Sequence, residues 1–123
     1  MRFLTDRKRA QGLGSARAGT HEHWQMMISS AALVVLVPLF IFTFGSALGG
    51  SYEEVLAYYS RPFPAVIAAL TLVVGVLHMM HEVQDAIVDY VHGVAGKIAF
   101  VAAGAVAWVI IATGLFALVK LAL

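Results

Sequence analysis

The sequence contains no cysteine. That absence excludes disulfides within the chain, and it excludes thiolate ligation of zinc or of an iron–sulfur cluster. It carries no information about redox compartment. Charge is scarce as well. Charged residues make up 12% of the chain, against roughly 25% in soluble domains. The net charge is only +1, so the charge balance names no acidic partner, and nucleic acid is not expected among the ligands. An amino-terminal apolar run ahead of a small-residue cleavage site is also missing. The first 25 residues are polar, and no cleavable signal peptide is expected.

What fills the chain instead is apolar. Hydrophobic residues account for 61% of 123 positions, and the mean hydropathy is +0.87. One domain, integral to a membrane, is the expected class. Three apolar runs, at about 26–49, 64–90 and 98–119, each reach the roughly 20 residues that cross a bilayer core. The predicted fold is an all-α membrane protein: an amino-terminal arm over 1–25 and a three-helix transmembrane anchor domain over 26–123. Three helices without an extramembrane domain bury little surface alone, so a partner subunit is expected.

The arm holds five of the eight Lys and Arg residues. Gly12, Gly14, Ser15 and Gly19 mark it as irregular, and Trp24 stands where an interfacial aromatic belongs. In the first span, Pro38 predicts a kink that membrane helices tolerate. Ser29 and Ser30 either bond the backbone or face a ligand. Residues 50–63 read as a loop or short amphipathic segment with an aromatic belt of Tyr52, Tyr58 and Tyr59. Pro62 and Pro64 then start the second span. Gly93 and Gly96 read as stop and turn signals. In the third span Ala103, Gly104, Ala107 and Gly114 offer small packing surfaces. Basic residues set the orientation. With three spans, Arg2, Arg7, Lys8, Arg9, Arg17 and Lys97 share one side, and Arg61 and Lys120 the other. The positive-inside rule predicts a cytoplasmic amino terminus and a periplasmic carboxyl terminus in a bacterial inner membrane.

The informative stretch is His78–Tyr90, HMMHEVQDAIVDY. It holds three of the seven acidic residues and two of the five histidines, yet it directly continues the apolar run from Pro64. With His78 at zero on a helical wheel, His81, Glu82, Asp85 and Asp89 fall at about −60°, +40°, −20° and +20°. The ionisable side chains share one face, while Met80, Val83 and Ile87 keep the other apolar. Ionisable groups are costly in a membrane and face a bundle interior, a cofactor or a water-filled path. A neutral His78 imidazole could ligate haem iron or hydrogen-bond a neighbouring helix. His81, one turn on, makes a helical metal site with His78 conceivable, although a third ligand is missing. Tyr90 could donate to a quinone carbonyl with Asp89 orienting it or relaying protons, or the pair could be interfacial. A small channel or transporter subunit, with the stripe lining a proton or cation path, is the competing reading.

The spacing of His78, Asp89, Tyr90 and Val91, which is H-x(10)-DYV, resembles that of a membrane-anchor subunit of succinate dehydrogenase, respiratory complex II. Residues 12–24, GLGSARAGTHEHW, resemble the family's alphaproteobacterial members. The resemblance spans tail, helices and both motifs. It implies that His78 is an axial ligand to haem b iron, and that Tyr90, with the adjacent Asp89, belongs to a ubiquinone site. It further implies a sister membrane anchor supplying the second haem ligand, and soluble iron–sulfur and flavoprotein subunits that carry the catalysis. No catalytic residue is expected in this chain. A quinol:fumarate reductase anchor is the related alternative. The chain departs from common family usage at Met80 and Glu82, where many relatives carry Arg and Gly. It also departs near Met27, where relatives carry an arginine beside the haem propionates; His21 or His23 is the available replacement.

Overall fold

The computed structural model describes residues 3–11 and 19–123. Most of the GLGSARAGTHEHW motif, residues 12–18, lies outside the described residues. Five helices run in order, and no strand occurs among the described residues. The first, α1 (Asp6–Gln11), departs from the irregular arm expected at this end. Its local signals explain it: the Thr5 hydroxyl accepts from the Lys8 backbone N–H at 3.2 Å, and Arg9 pairs with Asp6 at 2.8 Å. The side-chain cap satisfies one of the donors a helix start leaves open.

The next helix, α2 (Gly19–Ala47), begins ahead of the apolar run and includes His21, His23 and Trp24. Polar residues at a membrane boundary do not oppose helix formation, and the Gln25 amide meets the His21 ring one turn away at 3.0 Å. The helix continues across Pro38 as one element. Ser30, Thr43 and Ser46 turn their hydroxyls onto carbonyls one turn back, at 2.8, 2.9 and 2.7 Å. That local bonding lets hydroxyls sit in an apolar setting without an external partner.

Gly49, at φ +84°, reverses the chain. It leads to α3 (Tyr52–Tyr59), a short surface helix opened by a capping box. Ser51 Oγ accepts from the Glu54 N–H at 3.3 Å, and Glu54 Oε2 accepts from the Ser51 N–H at 2.7 Å. Pro62 and Pro64 open α4 (Pro62–Tyr90), where a missing N–H costs nothing. The connection to α5 (Gly93–Ala122) is only Val91 and His92. Gly93 makes that turn at φ +73°. Gly96 lies inside α5, not in a loop, and it is needed there for a close approach, since a Cβ would overlap the Val91 carbonyl. The gap expected between spans ending near 90 and starting near 98 is thus only two residues long, because α5 begins at Gly93.

Helices α2, α4 and α5 are long and apolar enough to cross a membrane. Helix α4 is central, packed on α2 along one side and on α5 along the other. Both pairs are antiparallel. Ser29 meets His78 and Leu33 lies over Gly75; Gln84 reaches Phe100, and Leu72 lies against Gly114. Gly104 and Gly114 provide the close approach expected of small residues in α5, and Ala107 is buried. The Gln84 amide donates to the Phe100 carbonyl at 3.2 Å, a polar clasp between the two helices. Few side chains are buried: Thr43, Tyr59, Ile67, Ala68, Ala107 and Ile111 among the non-glycine, non-proline positions described. Large apolar residues such as Val34, Phe42, Val101 and Trp108 face outward. Their exposure suits contact with lipid or protein.

Candidate functional site

The antiparallel packing of α2 on α4 brings Ser29 to His78 across 49 positions of sequence, with Ser29 Oγ 2.8 Å from His78 Nδ1. Ser29 also donates to the Met26 carbonyl at 3.0 Å. The sequence left two roles open for Ser29, backbone bonding or facing a ligand. It bonds the backbone and also holds the histidine. His78 is 18% exposed at its side chain, and its Nε2 stands 4.0 Å from Oε1 of the exposed Glu82 one turn on. A cleft of ≈ 310 Å³ opens between α2 and α4 at this level. Its polar lining is Gln25, Ser29, His78 and His81, and Ala32 and Val74 are among the apolar walls. His81 is half-buried beside His78, but the described residues contain no group of three His, Cys, Asp or Glu able to hold a metal ion.

The ionisable stripe divides by exposure. His78 and His81 turn toward α2 and are half-buried, whereas Glu82, Asp85 and Asp89 are exposed along α4. Asp89 and Tyr90 close the helix, and the Val91 N–H caps it on the Ile87 carbonyl at 2.8 Å. Tyr90 is 84% exposed. Its position is ~18 Å along the helix axis from His78, so the structure separates the two candidate positions. A second cleft, ≈ 450 Å³, lies at the α4–α5 corner. It is lined by Val91, His92, Gly96 and Lys97 but not by Tyr90.

A half-buried histidine held by a neighbouring helix, eleven positions before an exposed aspartate–tyrosine–valine end, is a constellation that can be compared with known proteins. The family model described as succinate dehydrogenase/fumarate reductase transmembrane subunit matches residues 1–119. The chain belongs to that family. It is similar to the succinate dehydrogenase hydrophobic membrane anchor subunit of Paracoccus denitrificans, at 44% identity over 123 residues, covering 100% of this chain and 95% of the relative. No solved structure matches the chain.

Membership in the succinate dehydrogenase/fumarate reductase family makes this chain a membrane anchor, a non-catalytic subunit of a larger oxidoreductase complex. It accounts for the three helices long and apolar enough to cross a membrane, and it displaces the channel reading. Sequence inspection singled out His78, Asp89 and Tyr90 and left open a hydrogen bond from His78 to a neighbouring helix, but it did not name Ser29 as the partner or the clasp of Gln84 on Phe100. Periodicity assigns a residue to a face; the identity of the neighbour on that face follows only from helix register.

Proposed function

We propose that this chain anchors a succinate:ubiquinone oxidoreductase in the bacterial inner membrane. In this reading it shares haem b with a sister membrane anchor and contributes Tyr90 and Asp89 to the ubiquinone site. Two soluble partners, an iron–sulfur protein and a flavoprotein, complete the assembly, and succinate oxidation takes place there. The direction of reaction, succinate oxidation over fumarate reduction, rests on the name of the Paracoccus relative.

The observation that carries the reading is His78. Its imidazole is largely enclosed between two apolar helices, faces a cleft and is held through Nδ1 at 2.8 Å. An imidazole so placed fits the donor chemistry of a haem axial ligand. His78 would hold the iron on this side, and the second ligand would come from the sister anchor. When bound, the haem supplies one-electron redox chemistry at this depth of the membrane. His78 itself would supply a ring fixed through Nδ1, with Ala32 and Val74 among the apolar walls beside it. At the other end of the stripe, the Tyr90 hydroxyl would donate to a quinone carbonyl, and Asp89 would orient it or pass it a proton. Their exposure at the end of α4 leaves both available to a quinone and to a docked iron–sulfur protein. The distribution of basic residues supports a cytoplasmic location for that end.

The test is haem content of the purified complex. His78→Ala should remove or strongly reduce the bound haem, and His81→Ala should reduce it less. Equal loss from both substitutions, or from neither, would overturn the assignment.

A further inference from the structure

Ser29 makes two hydrogen bonds through one hydroxyl. Its Oγ lies 3.0 Å from the Met26 carbonyl oxygen and 2.8 Å from His78 Nδ1. A hydroxyl has one proton to give and accepts through its lone pairs, whereas a carbonyl oxygen only accepts. The single proton therefore goes to Met26, and the bond to the ring runs the other way: His78 Nδ1–H donates to Ser29 Oγ. A neutral imidazole protonated on Nδ1 carries its free lone pair on Nε2.

We infer that Ser29 is a positioning residue for the haem: it fixes His78 as the Nδ1–H tautomer, aims Nε2 for ligation, and thereby sets the affinity and reduction potential of the bound iron. The inference rests on the haem reading above. Helix α2 itself fixes the hydroxyl, because the Met26 carbonyl it bonds lies one turn back along the same helix. The pair is part-buried, and a hydrogen bond shielded from water is electrostatically stronger. The carboxylate that approaches the ring, Glu82, lies on the Nε2 side at 4.0 Å and does not compete for Nδ1. The neighbouring Gln25 amide is engaged with His21. An acceptor on the remote N–H of a ligating histidine raises the ligand's basicity. A more basic ligand favours the more highly charged ferric iron, so losing the acceptor weakens ferric binding most and raises the potential.

The experiment uses the whole complex purified with wild-type, Ser29→Ala, Ser29→Thr and His78→Ala anchors. It reads the haem-to-protein ratio and the potentiometric titration of the haem that remains. Ser29→Ala should weaken haem retention by about 10- to 100-fold. It should also lower the ferric-to-ferrous ratio at a fixed poise by about tenfold, an upward shift of about 59 mV for a one-electron couple. Ser29→Thr keeps the hydroxyl and should restore both. A haem-loaded Ser29→Ala complex that titrates like wild type, or a Thr variant that behaves like Ala, overturns the role of Ser29 while leaving His78 as ligand. Failure of the haem reading looks different: His78→Ala then retains its full haem. Should Ser29→Ala not assemble, Ser29→Cys carries the comparison, since its sulfur is only a weak acceptor. A raised potential in Ser29→Cys supports the inference, and a wild-type potential overturns it.

Discussion

Replacing Tyr90 with phenylalanine isolates one hydroxyl. Tyr90 is 84% exposed at the end of α4, so the substitution opens no cavity and removes no core packing. The Val91 N–H to Ile87 carbonyl bond that closes the helix is a backbone bond and survives. Any loss must then arise where the hydroxyl meets substrate. A hydrogen bond to an oxygen that gains negative charge contributes about 1.5–3 kcal/mol, and about 1.36 kcal/mol is tenfold in rate. Quinone reductase kcat/KM should fall about 10- to 100-fold in Tyr90→Phe. Succinate oxidation with a soluble artificial acceptor should persist, because that chemistry belongs to other subunits. Haem content should hold, since His78 is ~18 Å away along the helix. The assay is steady-state quinone reduction by assembled complex, normalised to the soluble-acceptor rate. Quinone reduction within about twofold of wild type would refute the role of the hydroxyl and leave Tyr90 as an interfacial anchor, since even the weakest such bond predicts about tenfold.

Gly96→Ala places a Cβ against the Val91 carbonyl, a backbone atom that cannot swing aside. It should destabilise the complex by about 1–3 kcal/mol, read as a lower thermal midpoint. Gly45→Ala meets nothing within 4 Å and should instead be neutral or stabilising by up to about 1 kcal/mol. A reporter fused after Leu123 should be active only if it works outside the cytoplasm; activity of a cytoplasmic reporter there would reverse the orientation. On α3, outside the spans, the Glu54 carboxyl is held below its usual 4.5 by the Ser51 backbone N–H and then by the Ser51 side chain. A depressed carboxylate contributes in full above its unfolded value and loses that contribution as pH falls through its folded value. Protection of the Val55 amide against exchange should therefore drop below pH 4.5, and Glu54→Gln should remove that pH dependence.

The three spans were legible because a bilayer demands about 20 apolar residues in helical form, and little else satisfies that demand. Helix ends were less so. Helix α2 reaches back to Gly19 through Thr20, His21, Glu22 and His23, polar residues that carry no apolar signal. Gly96 resembles a turn residue but serves a close approach inside α5. At the site, the wheel of α4 put His78 and the acidic residues on one face from sequence alone. It could not reveal that the histidines turn toward α2 while the carboxylates remain exposed. Nor could it show Ser29 beside His78, because that pairing depends on the register of two helices separated by a turn and a third helix.

The sparse interior of the three-helix anchor changes what a stability measurement on it would mean. With so few side chains enclosed and so many large apolar ones facing outward, much of the apolar surface of the anchor is covered by whatever surrounds it. A melting temperature recorded on the solubilised chain is then largely a property of the detergent, and one recorded on the complex a property of lipid and of the concentration of its subunits. Variants of this chain are comparable only at fixed surroundings, and a substitution on an outward face can change the apparent stability without altering any contact the chain makes with itself.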